Sequence, residues 1–246
     1  MTMALLEVSG ISKTFGALKA LDGAGVTIDA HTFHGLIGPN GSGKSTLLKA
    51  IAGAHFADEG RVIFDGRDIT RALPHERSRA GMSLKFQLTA VLPELSVYDN
   101  VLLALQAHES PFALLRSGSR ARLHDAVMGP LADFRLADRA DDLAGELSHG
   151  EQQWLEIAMA LALRPKMLLL DEPTGGMSPE ERRVTGELLR PIKSWCSLLI
   201  VEHDLAWIRD LCDRLTVLDH GQVLDEGTVD DIQRSDKVKK VYTTRE

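Results

Sequence analysis

A glycine-rich stretch from Gly38 to Thr46 most constrains what this chain can fold into. It fits the pattern G-x-x-x-x-G-K-[ST], in which backbone N–H groups wrap around nucleotide phosphates. Apolar residues precede it as the end of a buried strand and follow it at helical spacing: Phe33, Leu36 and Ile37, then Leu47, Leu48, Ile51 and Ala52. The stretch therefore predicts a phosphate-binding loop at a helix N-terminus, where unpaired N–H groups and the helix dipole favour anions.

Each residue type in this loop has a physical reason. Glycine lets the backbone approach oxygen atoms and take turns that a Cβ would block. Lys44 can reach the β- and γ-phosphates as a point charge, and the Ser45 hydroxyl can ligate Mg²⁺. The alternative is a glycine-rich turn that binds nothing. The predicted phosphate-binding residues are Gly38, Pro39, Asn40, Gly41, Ser42, Gly43, Lys44, Ser45 and Thr46.

Composition narrows the class of protein. The 246 residues suit one large domain or two small ones, and 44% of them are hydrophobic. A formal net charge of −7 argues against non-specific nucleic-acid binding, which normally needs a basic face. The two cysteines form no disulfide framework and indicate a reducing compartment. We find no run of about 18 apolar residues and no signal-peptide pattern, so we expect a cytoplasmic protein that touches a membrane only through a partner.

The apolar pattern predicts an α/β core interrupted by helices. Predicted strands are Leu5–Ser9, Gly25–Ile28, Arg61–Phe64 with a turn at Asp65-Gly66, Met167–Leu170, Ser197–Val201, and a hairpin of Leu215–Leu218 with Gln222–Leu224 around His220-Gly221. Apolar runs such as Met167–Leu170 are typical of strands covered on both faces. A short charged tail follows Ser235.

Between these strands the pattern is helical from Leu95 to about Leu163. Ser96 with Asp99 predicts a helix start, and Pro111 and Ser117–Ser119 predict breaks. A further helix is predicted over Arg120–Phe134, interrupted or bent near Gly129-Pro130. We therefore predict one domain over residues 1–246, with a core of residues 1–88 and 165–246 and a helical subdomain over about 89–164.

Two carboxylates end the Met167–Leu170 strand, at the sheet edge where open α/β sheets bind ligands. Asp171 is predicted to hold Mg²⁺, directly or through water. Glu172 points elsewhere because side-chain direction alternates, and it is predicted to orient and deprotonate an attacking water. The alternative for Glu172 is a cap on the turn at Pro173.

The segment Leu147–Gln153 predicts a second helix start with unusual properties. Ser148 and Glu151 have capping-box spacing, and Pro165 is expected to end the helix. Taken alone, a plain capping box is the simpler interpretation. Gly150, however, is expected to leave the first-turn N–H groups uncovered, which would make a second anion site. One nucleotide cannot easily meet two distant sites, so we expect two chains in which each Ser148/Gly150 helix start faces the γ-phosphate bound by the other.

These motifs, in this order, resemble the nucleotide-binding subunit of an ATP-binding cassette transporter, from about Leu5 to Thr228. The resemblance implies a P-loop NTPase core with a mostly parallel sheet, an antiparallel β subdomain and an inserted α-helical subdomain. It implies ATP hydrolysis with Mg²⁺ and a homo- or heterodimer. It also implies transmembrane permease subunits that hold the chain at the inner face of the membrane, a periplasmic or extracellular solute-binding protein as an indirect partner, and no nucleic acid.

The resemblance also implies three further roles. Phe15 is similar to the aromatic residue that stacks on adenine, with a packed strand-end aromatic as the alternative. Gln87 lies where the family has its glutamine near Mg²⁺ and the attacking water, although a lone glutamine is normally a surface residue. His203 follows the last core strand, where the family places a histidine against the γ-phosphate, although a lone histidine is more often structural. The implied catalytic residues are Glu172, His203 and Gln87; the implied metal ligands are Ser45, Gln87 and Asp171.

Two departures from the family pattern stand out. The usual Leu-Ser-Gly-Gly-Gln segment has His149 and Glu151 here, and the loop Gly175–Ser178 has Ser178 where Asp is usual. The second departure leaves open how strongly, or when, the two ATP sites influence each other. The sequence around His149 and Ser178 is similar to the subfamily serving branched-chain amino-acid or urea uptake.

Three rival functions stay open at this point: a cassette ATPase acting on nucleic acid or ribosomes, a P-loop small-molecule kinase, and a lipopolysaccharide-type export cassette.

Overall fold

The computed structural model describes residues 4–85, 91–107, 109 and 119–243, which form two β-sheets with helices around them. The strands are β1 (Leu6–Phe15), β2 (Leu18–Ile28), β3 (Phe33–Ile37), β4 (Glu59–Phe64), β5 (Arg67–Asp68), β6 (Met82–Lys85), β7 (Met167–Asp171), β8 (Ser197–Val201), β9 (Arg214–Asp219) and β10 (Gln222–Thr228). The helices are α1 (Lys44–Ala52), α2 (Pro74–Arg79), α3 (Val97–Gln106), α4 (Ser119–Arg122), α5 (His124–Asp133), α6 (His149–Ala162), α7 (Pro179–Leu189), α8 (Leu205–Leu211), α9 (Val229–Arg234) and α10 (Asp236–Thr243).

A six-stranded sheet in the order β10-β9-β3-β8-β7-β6 confirms the predicted α/β core. The strands β9, β3, β8, β7 and β6 are parallel, and β10 pairs antiparallel at the edge. Side chains of β7 alternate between two buried clusters: Leu168 and Leu170 face the helices that include α6 and α7, whereas Met167 and Leu169 face α1 and the second sheet. Burial on both faces explains why this strand is a continuous apolar run.

The second sheet is antiparallel, in the order β2-β1-β4-β5. The predicted strands Leu5–Ser9 and Gly25–Ile28 were too short, because β1 and β2 have ten and eleven residues. Their pairing contains register shifts, and Gly10 and Gly23 adopt positive φ within them. Bulges of this kind interrupt the alternation of apolar residues inside a strand. At those points the sequence pattern resembles a strand end, which is why the predicted strands were too short.

The helices α3, α5 and α6, which lie between residues 97 and 162, pack on one face of the six-stranded sheet. The predicted start of α3 is confirmed, because the Ser96 hydroxyl accepts a bond from Asp99 N. The predicted interruption near Gly129-Pro130 is wrong: α5 continues through Pro130 and the break lies at Leu123. Pro130 is the seventh residue of this helix, so its missing N–H removes one bond of the ladder without ending the helix. The predicted break at Pro111 and most of that at residues 117–119 lie outside the described residues.

The final segment contains more structure than a charged tail. The β9–β10 hairpin around His220-Gly221 is confirmed, and α9 and α10 follow it. Ile232 and Val238 bury their side chains in the core. Over the described ranges, we find no helix with the length and apolarity needed to cross a bilayer.

One buried histidine in β3 gives the fold a pH dependence. His34 is fully buried and its Nε2 lies 2.7 Å from the Thr216 hydroxyl. Burial lowers the pKa of His34 to about 4, with the positive charge of Arg214 as a second cause. This imidazole therefore binds a proton more tightly in the unfolded chain than in the folded protein. As the pH falls below the ordinary pKa of histidine, protonation favours the unfolded chain and stability decreases.

We expect the free energy of unfolding to fall by roughly 2 to 3 kcal/mol from this group alone as the pH drops from 7 to about 4.5. The variant His34→Gln, which does not titrate, should lack this component, whereas the exposed His75→Gln should keep it. Denaturant unfolding at several pH values measures the difference. Parallel stability–pH curves for wild type and His34→Gln would contradict this assignment.

Candidate functional site

The predicted phosphate loop connects β3 to α1, and its glycines are required by close backbone packing. A Cβ on Gly38 would lie 2.1 Å from Leu218 O, and one on Gly43 would lie 2.7 Å from Ala20 O. Both have positive φ, of 146° and 104°. Gly43 is also the N-cap of α1, so no cap side chain occupies the first-turn N–H groups. The loop therefore presents the start of α1 as an anion site.

Lys44 places its charge at the centre of this loop. Its side chain is buried, and Nζ donates to Gly38 O at 2.9 Å and to Pro39 O at 3.0 Å. Burial lowers the pKa of Lys44, and the carboxylates of Glu172 and Asp171 oppose that shift. The ammonium is thus held by carbonyl oxygens that a phosphate can replace.

Ser45 and Asp171 form an oxygen pair at the end of β7. The Ser45 hydroxyl donates to Asp171 Oδ1 at 3.1 Å. Asp171 is 1% exposed, and its Oδ2 is buried with no hydrogen-bond partner among the described residues. Burial raises the pKa of Asp171, while the Ser45 bond lowers it. Hydroxyl and carboxylate oxygens are ligands that Mg²⁺ prefers, so these two residues fit a divalent cation.

Glu172 and His203 meet at the adjacent strand ends. In the Nε2–H tautomer His203 donates to Glu172 Oε1 at 2.7 Å. Glu172 has a positive φ of 49°, which is uncommon for a residue with a Cβ, and its N–H donates to Val201 O. Both side chains line one cavity of about 520 Å³ with the phosphate loop. The structure thus brings a carboxylate and an imidazole to the phosphate-binding loop.

Four residues that the sequence did not indicate also line this cavity: Leu18, Lys19, Ala20 and His220. They come from the start of β2 and the β9–β10 turn. The sequence predicted the turn at His220-Gly221 but not its contact with β2, where a Cβ on Gly221 would lie 2.7 Å from Ala20 O. Lys19 adds a second cation to the cavity wall.

Phe15 lies apart from these contacts. The Phe15 ring is 43% exposed at the end of β1, edge-on to His55 with centroids 5.5 Å apart, and it does not line the cavity. Its stacking on adenine stays a prediction. Gln87 lies outside the described residues, two positions after β6 ends at Lys85.

The second predicted anion site is a confirmed capping box at the start of α6. Ser148 Oγ accepts from Glu151 N at 3.3 Å, and Glu151 Oε2 accepts from Ser148 N at 2.8 Å. Ser148 is exposed and does not line the phosphate-loop cavity. The expectation that Gly150 leaves the first-turn N–H groups uncovered stays a prediction. Gly150 is buried, and a Cβ there would lie 2.5 Å from Glu181 Oε1, so the glycine makes room for that carboxylate.

A parallel sheet with a glycine-rich loop between strand and helix, and with a Ser45–Asp171 oxygen pair beside it, defines the class of P-loop nucleotide-binding proteins. A family model described as ABC transporter matches residues 21–175. The chain belongs to this family, as an ATP-binding cassette that hydrolyses ATP in a transporter complex.

Relatives agree over nearly the full length. The "Probable branched-chain amino acid transport ATP-binding protein LivG" of Archaeoglobus fulgidus is 34% identical, over 98% of this chain and 95% of its own. The lipopolysaccharide export system ATP-binding protein LptB of Haemophilus influenzae is 28% identical, over 98% of this chain and 97% of its own. The crystal structure of the ADP conformation of MJ1267, an ATP-binding cassette of an ABC transporter, matches with a TM-score of 0.87 and 34% identity, covering 98% of this chain and 99% of that one.

Proposed function

We propose that this chain works as a closed pair, with itself or with a sister subunit, around two ATP molecules, and that it drives import of a small polar solute. The observation that supports the pair is the separation of two anion sites. Lys44, Glu172 and His203 line one cavity, whereas Ser148 is exposed and does not line it. We therefore assign to a second chain the Ser148 that a triphosphate on this loop would meet.

Within one chain we assign ATP binding and hydrolysis to four groups. The phosphate loop and Lys44 hold the β- and γ-phosphates. Glu172 orients a water for attack on the γ-phosphorus and accepts its proton. His203 positions the Glu172 carboxylate through the 2.7 Å bond and lies where it can meet the γ-phosphate. Phe15, at the end of β1, supplies an exposed ring for the adenine.

Ser45 and Asp171 would hold Mg²⁺, with Gln87 as a further ligand predicted from the sequence. The ion, when bound, neutralises charge on the β- and γ-phosphate oxygens. The unpartnered, buried Asp171 Oδ2 supports this assignment. Ser45, which already donates to Asp171 Oδ1, fixes the direction of that carboxylate.

We assign contact with a membrane permease to a groove between α2 and β6 on one side and α3 and α6 on the other. The groove has a volume of about 420 Å³ and a mostly apolar lining. Lys85 and Glu156 form a buried ion pair in it, with Nζ and Oε2 3.1 Å apart. An apolar groove where the core meets the predicted helical subdomain suits an inserted helix, and it would hold this chain at the inner face of the membrane.

Filling this groove should separate assembly from ATP chemistry. We expect Ala160→Trp, which projects a large ring into the groove, to reduce recovery of the chain with its permease about tenfold or more. ATP turnover of the isolated chain should stay near wild type. The matched control is Ala132→Trp, at an exposed position of α5. Affinity purification from membranes measures recovery, and equal recovery of both variants would contradict the groove assignment.

The solute class rests on similarity. The relative named LivG is described as a branched-chain amino acid transport protein, and the His149 and Ser178 segments are similar to the amino-acid or urea uptake subfamily. We therefore propose branched-chain amino acids, urea or a related small polar solute, and no nucleic-acid partner, in line with a net charge of −7. The relative named LptB favours lipopolysaccharide export as the second candidate.

Uptake measurements separate these candidates. In the strain that carries this gene, deletion should abolish ATP-dependent uptake of labelled leucine or labelled urea, and wild-type protein should restore it while Glu172→Gln should not. Unchanged uptake of both solutes would contradict the importer. Accumulation of lipopolysaccharide in the inner membrane of the deletion strain would instead support export.

A further inference from the structure

His149, which departs from the family pattern, joins two segments of the same chain. In the Nε2–H tautomer its ring donates to Gly175 O, with Nε2 and O 3.1 Å apart. The loop passes directly against the ring, because a Cβ on Gly176 would lie 2.9 Å from His149 Nε2. The Gln153 side-chain amide lies 3.4 Å from the same nitrogen. The start of α6 and the Gly175–Ser178 loop are therefore in contact through this ring.

A second contact runs in the opposite direction. Glu181 lies in the first turn of α7, and its Oε2 accepts from Ser178 N at 2.8 Å. Its Oε1 occupies the space beside Gly150, so a Cβ there would displace that carboxylate. Thus His149 reaches from α6 to the loop, and Glu181 reaches from the far end of the loop back to α6. The two helix starts interlock.

The same loop also contacts the backbone of Glu172. Gly175 N donates to Glu172 O at 3.1 Å, so the residue that accepts from His149 also bonds to the backbone of the proposed base. On the other side, Ser148 is the neighbour of His149 and the N-cap of α6. One continuous set of contacts therefore joins Ser148, which we assign to the ATP on the partner chain, to Glu172, which we assign to the ATP on its own chain.

We propose that His149 is a positioning residue that couples the two ATP sites of the pair, by fixing the Gly175–Ser178 loop and Glu172 when Ser148 closes on the partner's ATP. The inference rests on the proposed closed pair. Because the family usually has Gly at this position and Asp at the position of Ser178, the ring–loop contact is one that the usual family segment lacks. Without the ring, the loop and α6 keep the Glu181 contact but lose the bond nearest Glu172.

The test is the ATP dependence of hydrolysis in the intact chain. Two coupled sites give a Hill coefficient above 1 and at most about 2. His149→Ala should bring it to about 1 and should leave the affinity of the unpaired chain for ATP unchanged. His149→Gln, whose amide can still donate to Gly175 O, should retain most of the cooperativity. Glu146→Ala, an exposed change two residues before Ser148, should behave as wild type.

A purely structural role would lower the melting temperature and leave the Hill coefficient unchanged below it. Hydrogen exchange of residues 175–178 with ATP bound gives a second readout, and exchange should be faster in His149→Ala. If wild type is cooperative and His149→Ala is equally cooperative with unchanged exchange, the coupling is overturned while the closed pair stands. If wild type shows a Hill coefficient of 1 and forms no ATP-dependent pair, both are overturned.

Discussion

Replacing Glu172 by Gln is expected to reduce ATP hydrolysis at least about 100-fold while ATP-dependent pairs persist. The amide keeps the size of the side chain and can still accept from His203 Nε2, which lies 2.7 Å from Glu172 Oε1 in the native chain. It cannot accept a proton from water at neutral pH. Binding groups on the phosphate loop are untouched, so ATP should bind and remain uncleaved.

Two measurements check this expectation together. Phosphate release gives the turnover, and size-exclusion chromatography with and without ATP gives the fraction of paired chains. Glu180→Gln is the matched control, because Glu180 is an exposed glutamate in the first turn of α7. Turnover of Glu172→Gln within about threefold of wild type would remove Glu172 from the mechanism, since a general base contributes more than that.

The second large effect is expected on stability, at Arg77. Arg77 is 1% exposed, and its guanidinium donates four bonds to backbone carbonyls: Nη1 to Ala50 O and Ile51 O, Nε to Ala72 O, and Nη2 to Thr70 O. Two of these carbonyls belong to the last turn of α1: Ile51 O, and Ala50 O, which also accepts from the C-cap Gly53 N at 3.2 Å. Burial lowers the pKa of Arg77 to about 10.

Arg77→Met should lower the free energy of unfolding by about 3 to 5 kcal/mol, because it leaves several buried carbonyls unpaired. For a chain of this length that corresponds to a fall in melting temperature of roughly 10 °C. Arg79→Met, at an exposed position of the same helix, should change stability by no more than about 0.5 kcal/mol. Thermal unfolding measures both, and equal losses would contradict the assigned role of Arg77.

Features with a local cause could be predicted from the sequence. The phosphate loop, β7, the N-cap at Ser96 and the capping box at Ser148 depend on residue spacing within one element, and the structure has them where the spacing indicates. Burial on both faces makes β7 continuous in apolar residues, so it could be found without its neighbours.

Features with a long-range cause could not be predicted. Arg77 lies in an ordinary polar segment, and its role appears only when α2 packs beside the end of α1. Lys19 and His220 enter the cavity because a hairpin and a turn from distant parts of the sequence meet the loop. Gly150 was interpreted from its own helix, whereas its actual neighbour, Glu181, comes from α7. Side chains that meet across elements leave no periodic signal.

The most direct measurement is a structure of Glu172→Gln with ATP and Mg²⁺. We predict that each γ-phosphate lies between Lys44 of one chain and Ser148 of the other, within hydrogen-bonding distance of both. The oxygens of Ser45 and Asp171 should face the metal ion in the same complex. A structure in which ATP occupies the loop of a single chain, with every Ser148 remote from any nucleotide, would contradict the closed pair.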